Sequence, residues 1–173
     1  MKRTLKIIVI LLFIIIAAGI GYMYSKQPTR NGEITLANLQ APVKVRYDER
    51  GVPHIQAQNE TDMYRTLGYV HAQDRLFQME MVRRLARGEL AAILGPKLLA
   101  TDRLFRTLGI RAHADAFVEK MDKNSSSYQA LSAYLDGVNQ YQNSQSAPIE
   151  FDILGISKRP FSAEDTLSVA GYM

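Results

Sequence analysis

The sequence predicts an α+β, helix-rich fold, and three observations carry that reading. Apolar residues recur at three- and four-residue spacing over most of the chain beyond Asn59. Capping residues stand ahead of several of these runs and glycines follow them. One short stretch alternates apolar and polar side chains, the period of a half-buried strand.

The alternating stretch comes first. Val43, Val45 and Tyr47 alternate with Lys44, Arg46 and Asp48, Glu49-Arg50-Gly51 offers a turn, and His54 to Ala57 resumes a strand, so a hairpin is expected. Asn59 or Thr61 then caps a helix with Glu60 and Asp62 in its first turn, where the dipole favours acids. Gly68 marks a close contact or a break. The helical pattern continues to Arg87, with Leu76, Met79 and Arg83 on one stripe, and Gly88 suits the left-handed residue that ends it. Glu89 to Leu94 reads as a short helix stopped by Gly95-Pro96.

Ala100 to Met121 reads as an amphipathic helix bent near Gly109. Ser125–Ser127 precede another, in which Tyr128, Leu131, Leu135 and Val138 repeat at helical spacing. After the polar loop from Asn143, Pro148 to Phe151 reads as an extended piece and Lys158-Arg159-Pro160 as a turn. Ser162 and Asp165 have the spacing of a capping box. The helix they open has little more than two turns before Met173, which suggests a truncated domain.

The amino end has a different character. Lys2, Arg3 and Lys6 precede an unbroken apolar run from Ile7 to Ile20, extended by Gly21 to Tyr24. That is the layout of a secretory signal, and its length approaches the ~17 residues a spanning helix needs. No clean small-residue cleavage site follows, so an uncleaved anchor is preferred to a cleaved signal, with the rest exported. The expected organisation is a signal or anchor at 1–24, a linker at 25–40 and a folded part at 41–173. The net charge of +4 resides in the leader, since Lys2, Arg3, Lys6 and Lys26 meet no acid there and the remainder balances. A nucleic-acid partner is therefore not expected. The chain has no cysteine, which excludes disulfides and a cysteine nucleophile within it.

Chemistry-bearing motifs are few. His54, His71 and His113 lack the spacing of paired metal ligands, and no metalloprotease helix, nucleophile elbow or phosphate loop occurs. No catalytic or metal residue is assigned. Arg83, Arg84 and Arg87 lie near Glu80 and Glu89 at a helix carboxyl end and read as structural. Asp74 and Arg75 are expected in an internal ion-pair network bracing helix against strand.

The runs DERGVPHIQA and GYVHAQDRLFQMEMVRRLARGELAAILG resemble the opening blocks of the penicillin acylase and N-acyl-homoserine-lactone acylase family. Asp102 with Arg106 and Leu108-Gly109, then YLDGVNQY, PIEFDILG and the Phe161–Asp165 helix start, follow in the same order. The resemblance runs from about Val43 to the end. It implies the amino-terminal, α-subunit part of an N-terminal-nucleophile amidohydrolase that cleaves N-acylated substrates, with a four-layer αββα fold when complete. It also implies a β-subunit part, carrying a nucleophilic serine and its α-amino base, beyond Met173. Calcium is possible in the complete enzyme and none is assigned to this chain. Gly171-Tyr172-Met173 resembles the acyl-pocket segment, which makes Met173 the one substrate-contact candidate, with a core methionine as the alternative. A self-standing, membrane-anchored binding protein without catalysis is the other functional class considered.

Overall fold

The computed structural model describes residues 2–173, the side chain of Lys2 excepted; the expected leader thus starts one residue outside the described part. Helix α1 (Lys2–Ser25) carries the apolar run. Its Arg3–Ser25 stretch of 23 residues contains an 18-residue window of mean hydropathy 2.7, none of it buried, so it is long and apolar enough to cross a membrane. The antiparallel hairpin follows as β1 (Lys44–Tyr47) and β2 (Pro53–Gln56), with Val45 opposite Ile55 and Arg46 opposite His54. Gly51 takes a positive φ in its turn, braced by the Asp48 carboxylate accepting from the Arg50 and Val52 amides.

Helix α2 (Glu60–Arg87) is the central element. The Asn59 side chain caps it by accepting from the Asp62 amide, and Gly88 ends it in the left-handed conformation. Gly68 makes the expected close contact rather than a break. The interruption falls at Arg75, whose φ of −131° and ψ of 19° kink the helix. Beyond it lie α3 (Ala91–Leu94), a single 3-10 turn, α4 (Leu99–Leu108) and α5 (Ile110–Lys120), the last two separated at Gly109.

Helix α6 (Ser126–Ser144), capped by Ser125, packs along α2. Tyr69, Ala72 and Leu76 from α2 meet Leu135, Val138 and Tyr141 from α6, and Phe151, Ile156 and Phe161 close the core. Tyr69 and Tyr141 stack edge to face at 5.3 Å. The stretch expected as extended, Pro148 to Phe151, is instead the start of α7 (Ile149–Leu154). Pro148 fills the cap position, Gly155 supplies the left-handed exit, and the turn between them buries Phe151. Helix α8 (Ala163–Tyr172) opens with the full Ser162–Asp165 capping box. The architecture is helix-rich α+β, as the sequence predicts.

Residues 26–41 lie against the helices through specific bonds. Gln73 donates to the Thr29 carbonyl, and the Ala37 backbone exchanges two hydrogen bonds with Gln140. The buried Asp62 carboxylate accepts from the Gln40 and Ala41 amides. Arg65 joins the Asn38 carbonyl at 2.8 Å to Asp136 at 2.7 Å.

Candidate functional site

The densest polar chemistry lies where the last turns of α2 meet α8. Glu80 and Arg83 are each 1% exposed, one turn apart on α2, and form a short ion pair. Arg84 donates to the other Glu80 oxygen at 2.6 Å. Arg83 also reaches Asp165 at 3.3 Å and the carbonyls of Arg159 and Pro160 at 3.1 and 3.0 Å, while its guanidinium covers the Phe161 ring. Arg87 pairs with Asp165 and Glu89, and Glu89 also accepts from Arg159 at 3.0 Å.

Charges this deep persist because each has a partner. Burial lowers the Arg83 pKa against the pull of Glu80 and Asp165. For Arg87 burial works the same way, but hydrogen bonding and attraction from Asp165, then Glu89, raise the pKa overall. Burial would raise Glu89, yet Arg159 and Arg87 outweigh it and hold the carboxyl below its ordinary range.

The network positions α8. Asp165 serves both its own capping box and two arginines of α2, so helix start and neighbour share one carboxylate. Asn139 fixes the preceding residue, accepting from the Phe161 amide at 2.8 Å and donating to its carbonyl at 3.0 Å. At the far end, Tyr172 stacks on Phe105 of α4 at 5.6 Å, and Gly171 lies against Ile110 of α5. Met173 follows, 95% exposed and outside the core of this chain. The arrangement holds α8 at both ends, through Asp165 at its start and Tyr172 at its far end; it contains no nucleophile beside a free base.

Other candidates disperse. Asp74 and Arg75 are exposed at the kink, where Asp74 pairs with both Arg75 and Arg30. The expected brace between helix and hairpin exists one residue earlier, in the buried Gln73, which accepts from the Tyr47 hydroxyl at 2.7 Å. His71 pairs with the Tyr134 hydroxyl at 2.6 Å, and burial pushes that phenol up to about 12. His54 faces Asp48 at 3.4 Å, and His113 is exposed.

The described residues gather no group of three or more acidic or histidine side chains that could hold a metal ion. Buried Asp62 and Asp102 are already committed to backbone amides, and Glu80 and Asp165 to arginines. The donor set here does not fit calcium, and no step is derived through it. Sequence reasoning missed the group that buried Asp62 and Arg65 form with half-buried Asp136. The Asn59-to-Asp62 cap spacing was the only local signal for it.

A second concave feature lies between residues 29–45 and α2, a groove of about 670 Å³ lined by Ile34, Leu36, Val43, Tyr47 and Tyr69. At its wall the buried hydroxyls of Thr66 and Tyr69 have no hydrogen-bond partner among the described residues.

Comparison with known proteins agrees with these blocks. The family model described as penicillin amidase matches residues 42–173. The penicillin acylase 2 proenzyme of Pseudomonas sp. (strain SE83) is 40% identical over 143 residues, covering 82% of this chain and 18% of that protein. An acyl-homoserine lactone acylase, QuiP of Pseudomonas aeruginosa, is 32% identical over 133 residues, covering 77% and 16%. Penicillin G acylase of Escherichia coli is 33% identical over 132 residues, covering 73% and 16%. The chain thus spans less than a fifth of the curated relatives it matches. A solved structure, a thermostable penicillin G acylase from Alcaligenes faecalis, superposes with a TM-score of 0.65 at 30% identity over 76% of this chain and 72% of that one.

Proposed function

The chain belongs to the penicillin amidase family, and from that premise we propose that it is the amino-terminal, α-subunit portion of an exported amidohydrolase. The enzyme cleaves the linear amide bond of an N-acylated small molecule, of the penicillin or acyl-homoserine-lactone type. Its nucleophile, base and oxyanion donors belong to a β part outside this chain. Any calcium would likewise take its ligands from residues outside this chain, an acid of the α subunit among them. The portion described here supplies one wall of the acyl pocket, with Met173 as its contact.

The observation that carries this reading is the family match over residues 42–173, which extends through α8, the helix whose start is fixed by Asp165 and Arg83. One feature supports a surface made to be covered. Leu104 and Leu108 lie one turn apart on α4 and are 56% and 60% exposed, more than an isolated apolar side chain. A self-standing binding protein would be expected to cover them. Helix α1 is compatible with an export signal or an anchor that holds the folded part outside the cytoplasmic membrane.

The test is turnover of a chromogenic phenylacetyl amide or an acyl-homoserine lactone. Activity is expected when the chain is co-expressed with a β part of its precursor, and none from the chain alone. Turnover by the purified chain above a buffer control would overturn the assignment of catalysis to the β part.

A further inference from the structure

Helix α1 and α7 meet at one carboxylate. Asp152 accepts from the Tyr22 hydroxyl at 2.5 Å and pairs with the Lys26 ammonium at 2.6 Å. Lys26 also lies over the Tyr22 ring, 5.1 Å from its centroid. Tyrosine and lysine at the end of an apolar span are the residue types that reside at a membrane–water boundary. Their joint hold on Asp152 brings α7 to that level. The charge of Asp152 is matched by Lys26, so this edge of α7 carries no bare acid toward lipid.

The next residue, Ile153, is 73% exposed, as open as Phe13 inside the apolar span at 72%. Among the described large apolar side chains outside α1, Met173 alone is more exposed. Such exposure in water is costly, and the span beside it names the medium that would relieve it. Nor is the body free to swing away. Residues 29–41 are tied to α2 and α6 at Thr29, Ala37, Asn38, Gln40 and Ala41, which leaves only a few residues after Lys26 untied.

We propose that α7 is a membrane-surface contact, in which Ile153 enters the interfacial layer of the bilayer that α1 crosses and the Asp152 clasp to Tyr22 and Lys26 sets its depth. The proposal rests on α1 remaining as an anchor. Its partner is the lipid surface itself, and its consequence is a fixed orientation of the folded body on the membrane.

The chain has no tryptophan, so a single one can report depth. Ile153→Trp and, as a control on α5, Phe117→Trp (52% exposed in the parent) are reconstituted into phosphatidylethanolamine–phosphatidylglycerol vesicles carrying brominated acyl chains. Emission is read as a difference from the unsubstituted protein. Quenching at 153 is expected to exceed that at 117 at least twofold, and Asp152→Ala in the Ile153→Trp background should bring it toward the control. Protein that floats with the vesicles but quenches equally at both positions overturns the contact while leaving the anchor intact. Undiminished quenching after Asp152→Ala overturns the clasp. Protein that does not float overturns anchor and contact together.

Discussion

Gly68 and Gly137 stand against each other's helices at the crossing of α2 and α6. A Cβ on Gly68 would lie 1.9 Å from the Tyr134 carbonyl oxygen, and one on Gly137 would lie 1.8 Å from that of Arg65. The obstacles are backbone atoms of a packed helix, not the ends of flexible side chains. This reciprocal fit brings Arg65 within reach of Asp136 and lets Tyr69 meet Tyr141. Gly68→Ala or Gly137→Ala is therefore expected to separate the helices at a cost of roughly 3 kcal/mol or more. Urea unfolding followed by circular dichroism measures it, and an unchanged midpoint would refute the crossing geometry.

Arg83 serves Glu80, Asp165 and two carbonyls from one buried guanidinium. Arg83→Met leaves those acceptors without their donor and should destabilise by about 3–5 kcal/mol, the range for breaking a buried pair. Arg83→Lys should recover little, because a point ammonium cannot serve partners on several sides. Melting temperatures of the two variants check both statements.

Acid should weaken the fold in two stages. Burial lowers the His71 pKa from an ordinary 6.5, so below that value the unfolded chain takes up a proton that the folded one resists. Stability from this group is complete above pH 6.5 and declines as pH falls through the lowered value. Glu89 has the same sign from an ordinary 4.5, with Arg159 and Arg87 favouring its charge in the fold. A second decline therefore begins below pH 4.5. His71→Phe should remove the first stage and Glu89→Gln should lessen the second, to which Asp48, Asp62, Asp136 and Asp152, all lowered from an ordinary 3.8, also contribute, in unfolding free energy measured against pH.

Lys158 donates to the carbonyls of Gln142 and Gln145 at the end of α6, groups that otherwise lack partners. Lys158→Met should cost about 1 kcal/mol and raise amide exchange in the last turn of α6.

Gln73 ties α2 both to the hairpin, through Tyr47, and to residue 29. Gln73→Leu should free the segment after α1 and speed tryptic cleavage at Arg30 severalfold. Cleavage at the parental rate would show that the other ties suffice.

What the sequence made legible was local. Asn59, Ser125, Ser162, Gly88 and Gly109 act within four residues of themselves, and each lies at the helix boundary its type suggests. The Pro148 stretch reads differently in the structure because four residues hold barely one helical period, and its helix is fixed by Phe151 docking into a distant core. Direction was equally hidden. Charge type alone did not say that Asp74 faces water while Glu80 faces inward, since the kink at Arg75 lies between them. The Asp165 capping box could be seen in the sequence, but its partner Arg83, 82 positions away, could not. The acyl-pocket reading of Met173 came from family resemblance, and no local pattern would have supplied it.

The ties that hold residues 26–41 have a consequence for the order of assembly. Ala37 waits for Gln140, 103 positions later, and Tyr22 waits for Asp152, 130 positions later. A chain delivered amino end first has its apolar helix in place long before either partner exists. With α1 as the proposed anchor, the nascent protein would be moored early and oriented late. Its stance is set only when α6 and α7 arrive, and the cost of closing those long loops falls at that moment.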